Sequence, residues 1–522
     1  MRPMPRNFIA AVLLFFSLPA RSQELHRERF SEGVVRFEGK IQDVFPYDLD
    51  GDGKGDLLAT HTDFGHNGEN SATRYVSVKW QIAGGKMDGK PDQTWIVPGE
   101  AAVLLFGNFT ESPGTEIGYL TGDGAWVWEQ KDRKYELAAK RLLLVETFFD
   151  LSQDDSFPIW MWPPDLDGNG LTDLLIPQSD AYRLYVQTKP GVYGRAFTLA
   201  MPSASESPEG GAAWVRVVKS VPKVEFQDVD GDFKQDVCMV WHDKFVYFLQ
   251  GTEKGEDGGV RIRFPSEPSG QFQLQFLQQR ERKDQIATAI TTLKDVNRGG
   301  GVDFVASFTR GELSKIDAIA TDYYMYLGNR GQALASLSPN WRISLPGISL
   351  NPQLEDLNAD GFDDIAIASF ETSMLSNAGK VVFQKVPVDY FIYLFDKNKQ
   401  SYSAEYDWKD TVYVDIDKMN KGGGMPQLRF NGDWDGDGRK DILRLDSDGW
   451  LSAARGMEVK ALLKKSPVDF DKTDIFKFNV NDKETDGKTD APDGMDVWEF
   501  NGDGKADLTL RWGDRVRVMI SR

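Results

Sequence analysis

The chain has 522 residues, 40% of them hydrophobic, with a formal net charge of −19 and one cysteine. That apolar content supports a folded core and excludes a disordered chain. The negative charge disfavours a nucleic-acid partner, and Cys238 alone allows no intramolecular disulfide.

Residues 1–22 come first. Arg2 and Arg6 precede the apolar run Phe8–Leu18, and Ala20-Arg21-Ser22 places small residues before Gln23, a pattern that resembles a secretory signal peptide. The expected mature chain is one domain over 23–522, exported to a periplasmic or extracellular location. Loss of Arg2, Arg6 and Arg21 takes the net charge from −19 to −22. The apolar run is about half the length that spans a bilayer, and no later stretch is long enough, so no membrane span is expected.

From Asp48 onward the chain repeats. DLDGDGKGD at Asp48 returns as DLDGNGLTD at Asp165, DVDGDFKQD at Asp228, DLNADGFDD at Asp356, DWDGDGRKD at Asp433 and EFNGDGKAD at Glu499. Weaker copies start at Asn108 (NFTESPGTE) and Asp295 (DVNRGGGVD), and successive copies lie 57 to 77 residues apart. Position 2 is apolar in every copy, from Leu49 to Phe500, and so is position 10, from Leu57 to Leu508. Each loop is therefore expected to be pinned between two buried strand ends.

The runs LLIP, VCMVW, IAIASF and LTLRW that follow the loops, and the alternating AWVWE and RVRVMI, read as short strands; no long amphipathic helix interrupts them. A unit of about 60 residues holds four short antiparallel strands, and such sheets repeated around an axis make an all-β propeller. Eight copies predict eight four-stranded antiparallel blades, with seven as the alternative because the Asn108 copy is so divergent. The chain ends about two strands after its last loop. Gly33–Gly39 is predicted to supply the missing strand and close the ring, removing an open edge.

Oxygen donors at positions 1, 3, 5 and 9, with a backbone carbonyl from position 7, suit a hard cation that takes six to eight oxygens, calcium better than magnesium. Glycines at positions 4 and 6 let so short a loop curl. Position 12 is Ala59, Ile176, Met239, Ile367, Arg444 or Leu510, where an EF-hand needs a bidentate Glu. These loops resemble the FG-GAP or VCBS repeats of integrin α-like propellers, whose pattern is D-x-D-G-D-G-x-x-D between the first two strands of a blade.

The resemblance covers most of 23–522 and implies about six Ca²⁺ sites. Their ligands would be Asp48, Asp50, Asp52, Lys54 and Asp56; Asp165, Asp167, Asn169, Leu171 and Asp173; and Asp228, Asp230, Asp232, Lys234 and Asp236. The remaining sets are Asp356, Asn358, Asp360, Phe362 and Asp364; Asp433, Asp435, Asp437, Arg439 and Asp441; and Glu499, Asn501, Asp503, Lys505 and Asp507, the position-7 residue acting through its carbonyl. The copy at Asp295, Asn297 and Asp303 has Gly299 at position 5 and is a weak seventh site; the Asn108 copy keeps only Glu116 and reads as a bare turn. The six sets hold 21 carboxylates, nearly the whole negative excess of the mature chain.

No nucleophile elbow, P-loop or H-E-x-x-H signature is present. His61 and His66 read as part of a solvated loop. Tryptophans such as Trp126, Trp128, Trp160 and Trp162 are expected to fill the wedges between blades. With the loops serving as clips, the resemblance places a protein or glycan partner on the opposite face. There, long connections between second and third strands are predicted at His61–Ala72, Thr309–Thr321 and Glu371–Val388. The expected function is a calcium-stabilised binding, adhesion or assembly module; the alternative is a lyase-like enzyme acting on polysaccharide.

Overall fold

Between one nonapeptide and the next the chain is apolar, rich in β-formers and broken by turns, and in the computed structural model each such stretch forms a small antiparallel sheet. The structure describes residues 25–63, 72–82, 85–149, 158–160, 165–201, 204–205, 209–211, 214–216, 219–241, 243–255, 258–274, 285–312, 315–331, 338–370, 385–415, 427–456, 458–459, 468–469, 473–481 and 492–522. The signal-like segment, His66, Trp162 and residues 371–384 of one predicted loop lie outside the described residues.

The first blade runs from its inner strand outward as Lys40–Tyr47, Asp56–Asp63, Thr73–Lys79 and Gln93–Ile96. The same order recurs in the second blade (from Val103–Gly107), the fourth (from Lys223–Gln227), the fifth (from Gln285–Lys294), the sixth (from Gln353–Glu355) and the seventh (from Gln427–Gly432). The third blade shows Leu174–Pro177, Ala181–Lys189 and Val192–Ala200. In the eighth, Gly494–Trp498, Asp507–Trp512 and Arg515–Ser521 are joined by the N-terminal strand Phe30–Arg36, paired from Phe30↔Ser521 to Arg36↔Arg515. That outer strand starts three residues ahead of the predicted Gly33–Gly39. The described residues thus form an all-β propeller of eight blades, and the only helical turn among them is Arg27–Arg29.

Packing between blades explains the sequence pattern. The second strand of a blade is sandwiched on both faces, so Asp236–Val240 is buried at every residue, and its apolar residues run on without alternating. Eight hydrophobic clusters occur among the described residues, and each joins two blades that neighbour each other around the ring. The one containing Val35, Leu57, Ala59, Phe500 and Val518 joins the eighth blade to the first and completes the circle. Trp80, Trp95 and Trp128 fill the first wedge, and Phe30 stands edge-on to Trp434 and Phe476 in the last.

Two expectations about loops are corrected. Thr309 and Thr321 pair directly within a long hairpin, Asp303–Glu312 with Lys315–Tyr326, because β-branched and aromatic residues continue the ladder to Glu312↔Lys315. His61 belongs to the second strand of the first blade and is fully buried. Its Nδ1 lies 2.5 Å from the Glu38 carbonyl and its Nε2 2.8 Å from Ser77 Oγ, contacts that satisfy both ring nitrogens in the core.

Candidate metal centres

Position 9 is the first residue of the second strand in seven copies and directly precedes it in the third blade, and its carboxylate is buried in all eight: Asp56, Glu116, Asp173, Asp236, Asp303, Asp364, Asp441 and Asp507. One oxygen accepts the N–H of position 2, at 2.6 to 3.2 Å from Leu49, Phe109, Leu166, Val229, Val296, Leu357, Trp434 and Phe500. In seven copies the other accepts an N–H where the third strand comes back, at 2.5 to 2.9 Å from Gln81, Gln187, Gln250, Gly328, Phe395, Gly456 and Ser521. The side chain therefore ties three points of the blade together. Glu116, one methylene longer, instead turns its second oxygen to the Thr110 hydroxyl.

Positions 1 to 7 curl over this anchor. Position 1 holds the N–H of position 6 in seven loops, as Gly53 to Asp48 at 2.9 Å and Gly504 to Glu499 at 3.0 Å. Position 3 holds the N–H of position 5, and position 5 that of position 7, as Lys54 to Asp52 at 2.9 Å. Positions 4 and 6 both take positive φ, which is why glycine dominates them. Arg298, Ala359 and Phe233 take the same conformation without being glycine, so these loops keep the common shape.

This curl points side-chain oxygens inward. In three loops, those of Asp48, Asp50 and Asp56, of Asp228, Asp230 and Asp236, and of Asp433, Asp435 and Asp441, ligand atoms lie within 4.8 Å of one another and can hold a metal ion. Two carboxylates about 4 Å apart repel by about 1 kcal/mol in water and about 4 at an effective dielectric of 20. A hard divalent cation removes that repulsion, so the donor chemistry fits one. The loops at Asp165, Asp356 and Glu499 have the same curl, with Asn at position 5 or 3. The Asp295 loop also curls without a position-5 carboxylate, Gly299 donating to Asp295 at 2.9 Å and to Asn297 at 2.7 Å. In the Asn108 turn Glu116 accepts the N–H groups of Phe109 and Thr110 and so closes the turn.

Burial pushes the carboxyls of Asp56, Asp173, Asp236, Asp303, Asp441 and Asp507 up to about 7, and that of Asp364 up to about 8. Backbone N–H groups pull against burial, and nearby loop carboxylates push with it.

The loops also touch one another. The position-8 N–H of one blade donates to the preceding blade's loop: Gly55 to Phe500 O at 2.7 Å, Thr115 to Asp48 O at 2.7 Å, Thr172 to Asn108 O at 2.9 Å and Ala506 to Asp433 O at 2.6 Å. Small hairpins that no sequence signal singled out rise from the connections between third and fourth strands on this same face: Gln130–Lys131 with Lys134–Tyr135, Gly251–Lys254 with Val260–Arg263, and Phe395–Asp396 with Ser401–Tyr402. The first carries Arg133 onto the preceding loop, 2.5 Å from Asp50 and 3.3 Å from Asp52; the last sets Gln400 3.1 Å from Asn297. Their tips hold Arg133 and Gln400 at positive φ, a conformation visible only in three dimensions.

No protein-family model and no curated protein matches the chain. Among solved structures, one concerns recognition of non-reducing terminal N-acetylglucosamine by an Agrocybe aegerita lectin, at 14% identity and TM-score 0.34 over 84% of this chain and 93% of that one. A second is the WD40 domain of Toxoplasma gondii coronin, at 7% identity and TM-score 0.33 over 94% of this chain and 87% of that one. A third is BBS1N in complex with ARL6DN, at 9% identity and TM-score 0.29 over 80% of this chain and 91% of that one. With TM-scores this low they carry no argument about function, and the propeller architecture rests on strand pairing.

Two outcomes are expected. Asp364→Asn leaves an amide N–H facing a backbone N–H, so in excess chelator it lowers the unfolding free energy by about 1–3 kcal/mol, read from the urea midpoint. In the ion-free protein the position-9 carboxyls, raised from 3.8 to about 7 or 8, hold protons more tightly folded than unfolded. Their contribution is complete below about pH 3.8 and lost as pH rises through the folded values, so the chelated protein melts lower at pH 8.5 than at pH 5.5.

Proposed function

We propose that this chain is an exported, calcium-stabilised propeller of the FG-GAP or VCBS type that acts as a binding or assembly module for a protein or glycan partner. The observation that carries the reading is one loop shape, repeated on one face, which in three copies gathers three aspartates within 4.8 Å of one another. Arg133 reaches Asp50 and Asp52, and Arg455 reaches Asp435, but with a chain net charge of −19 acids outnumber cations overall. Calcium suits the donor set better than magnesium, because three carboxylates and backbone carbonyls on a flexible loop favour more than six oxygens. The six full loops are the sites, with the position-1, 3, 5 and 9 side chains and the position-7 carbonyl as ligands. The signal-like segment 1–22 supports export.

The partner surface of this reading is the face opposite the loops. The fifth-blade hairpin Asp303–Glu312 with Lys315–Tyr326 extends there, beside the 9-residue strand Lys385–Tyr393 of the sixth. Regular pairing on a rigid scaffold is a support on which a binding edge can be held.

The direct test is a melt in calcium and in excess EGTA. At calcium about 100 times its dissociation constant, each site adds about 2.7 kcal/mol. Chelation is therefore expected to lower the melting temperature strongly, with calcium restoring it and magnesium restoring less; an unchanged melt rejects the reading. Shortening the hairpin by residues 311–316 is expected to abolish retention on a glycan or protein array while leaving the calcium-dependent melt intact. Undiminished retention would remove this surface from the proposal.

A further inference from the structure

One loop breaks the pattern in an unexpected direction. Position 6 is glycine in six curled loops, Gly53, Gly170, Gly300, Gly361, Gly438 and Gly504, and all have positive φ. In the fourth blade it is Phe233, held at φ 68 with its N–H 2.7 Å from Asp228 Oδ2. A bulky side chain in this conformation is strained, and burial does not offset the strain. The ring is 84% exposed, the highest value among the large hydrophobic side chains described. It is nevertheless held in place. The Arg330 guanidinium lies 4.6 Å from the ring centroid, and its Nε donates to the Gly231 carbonyl at 2.5 Å.

The ring borders a cleft of about 860 Å³ between the third and fourth blades. One wall is the loop at Asp165–Gly168 with the outer hairpin of the third blade; the other is the fourth-blade loop and the small hairpin Gly251–Lys254 with Val260–Arg263. The equivalent hairpins of the second and sixth blades reach onto the preceding loop, whereas this one leaves the space open. Val260, 73% exposed, adds a second apolar surface. Arg195, set over Phe197 at 4.6 Å and paired with Glu253, stands beside Asp167 on the third-blade wall, with Lys234 and Arg261 on the fourth-blade wall.

We propose that this cleft binds a neutral saccharide, with one pyranose unit stacked on Phe233. The chemistry is selective. The lining mixes the acids Asp165 and Asp167, which the proposed ion would share, with the cations Arg195, Lys234 and Arg261, so neither a polyanion nor a polycation matches it, whereas sugar hydroxyls both donate and accept. The C–H face of a pyranose matches an exposed aromatic ring fixed from behind. The volume is that of a small-ligand cleft, large enough for a few sugar units. The position on the loop face sets this site apart from the partner surface proposed above, so either can fail without the other.

The test uses the mature chain in calcium buffer with cellohexaose, mannohexaose, xylohexaose and chitohexaose as probes in titration calorimetry, and hexagalacturonate and an acidic and a basic hexapeptide as comparators. At least one neutral hexasaccharide is expected to bind, and Phe233→Gly is expected to weaken it by about tenfold or more. Glycine relieves the positive φ, so Phe233→Gly should melt at or above the parent, and a loss of affinity then reports on the ring and not on folding. Phe233→Trp, which keeps an aromatic face, should bind within about threefold of the parent. Binding of no neutral probe, undiminished binding by Phe233→Gly, or binding confined to the galacturonate or the peptides overturns the proposal.

Discussion

The carboxylate at the ninth position of each loop is the interaction on which the rest of the blade depends. It stands at the start of the second strand, is buried there, and closes the turn by accepting the N–H of the loop's second residue, just past the end of the first strand. In seven blades it also receives the third strand, so the separation of three strands is set by one side chain with two oxygens. An amide could not do this, because it carries only one acceptor oxygen. Burying an acid is costly unless its oxygens are bonded, and here the backbone supplies the bonds. This accounts for the acid at position 9 even in the Asn108 copy, where positions 3 and 5 carry no carboxylate.

The same anchor separates two roles that the sequence presents as one. Positions 1, 3 and 5 each use an oxygen to hold an N–H further along the loop and direct side-chain oxygens toward the centre of the curl. They are therefore able to coordinate an ion, whereas position 9 supports the sheet as well. Loops such as the one at Asp295 keep their shape with a glycine at position 5, since shape comes from backbone bonds and the two left-handed positions. Loop shape and ion capacity are thus distinct properties, and the first does not require the second.

The loop face is also more than a row of clips. Backbone bonds link several loops to their neighbours, and the hairpins of the second and sixth blades lean back over the preceding loop. Arg133 reaches Asp50 and Asp52 from 83 and 81 residues away, a pairing that no local pattern announces. These hairpins are short, from 2 to 4 residues per strand, and their sequences (QKDRKY, FDKNKQSY) look like ordinary polar connections. Surface that simple repeat reading would assign to structure alone therefore contains a cleft and an exposed aromatic ring.

Much of the fold was legible in the chain because repetition amplifies weak local signals. A single apolar residue at position 2 or 10 says little, but the same residue class at eight places spaced 57 to 77 residues apart requires eight equivalent units, and burial of Leu49, Phe109 and Val296 alike follows. The seven-or-eight question at Asn108 was decided by strand pairing, since Val103–Gly107, Glu116–Thr121, Gly124–Trp128 and Lys140–Leu144 form a full four-stranded sheet. His61 and the Thr309–Thr321 hairpin were misread because polar residues in a row look like a loop until burial and pairing are known. The sequence by itself determined that the chain repeats, the strand that follows each loop and the acids available to an ion, because those are set by composition and spacing along the chain; seven or eight blades it left open. Only the tertiary structure decided the wedge packing that completes the ring, the pairing of residues 30–36 with 515–521, and the exposure of Phe233 beside an open cleft. Those depend on contacts between residues distant in sequence, where no local preference acts.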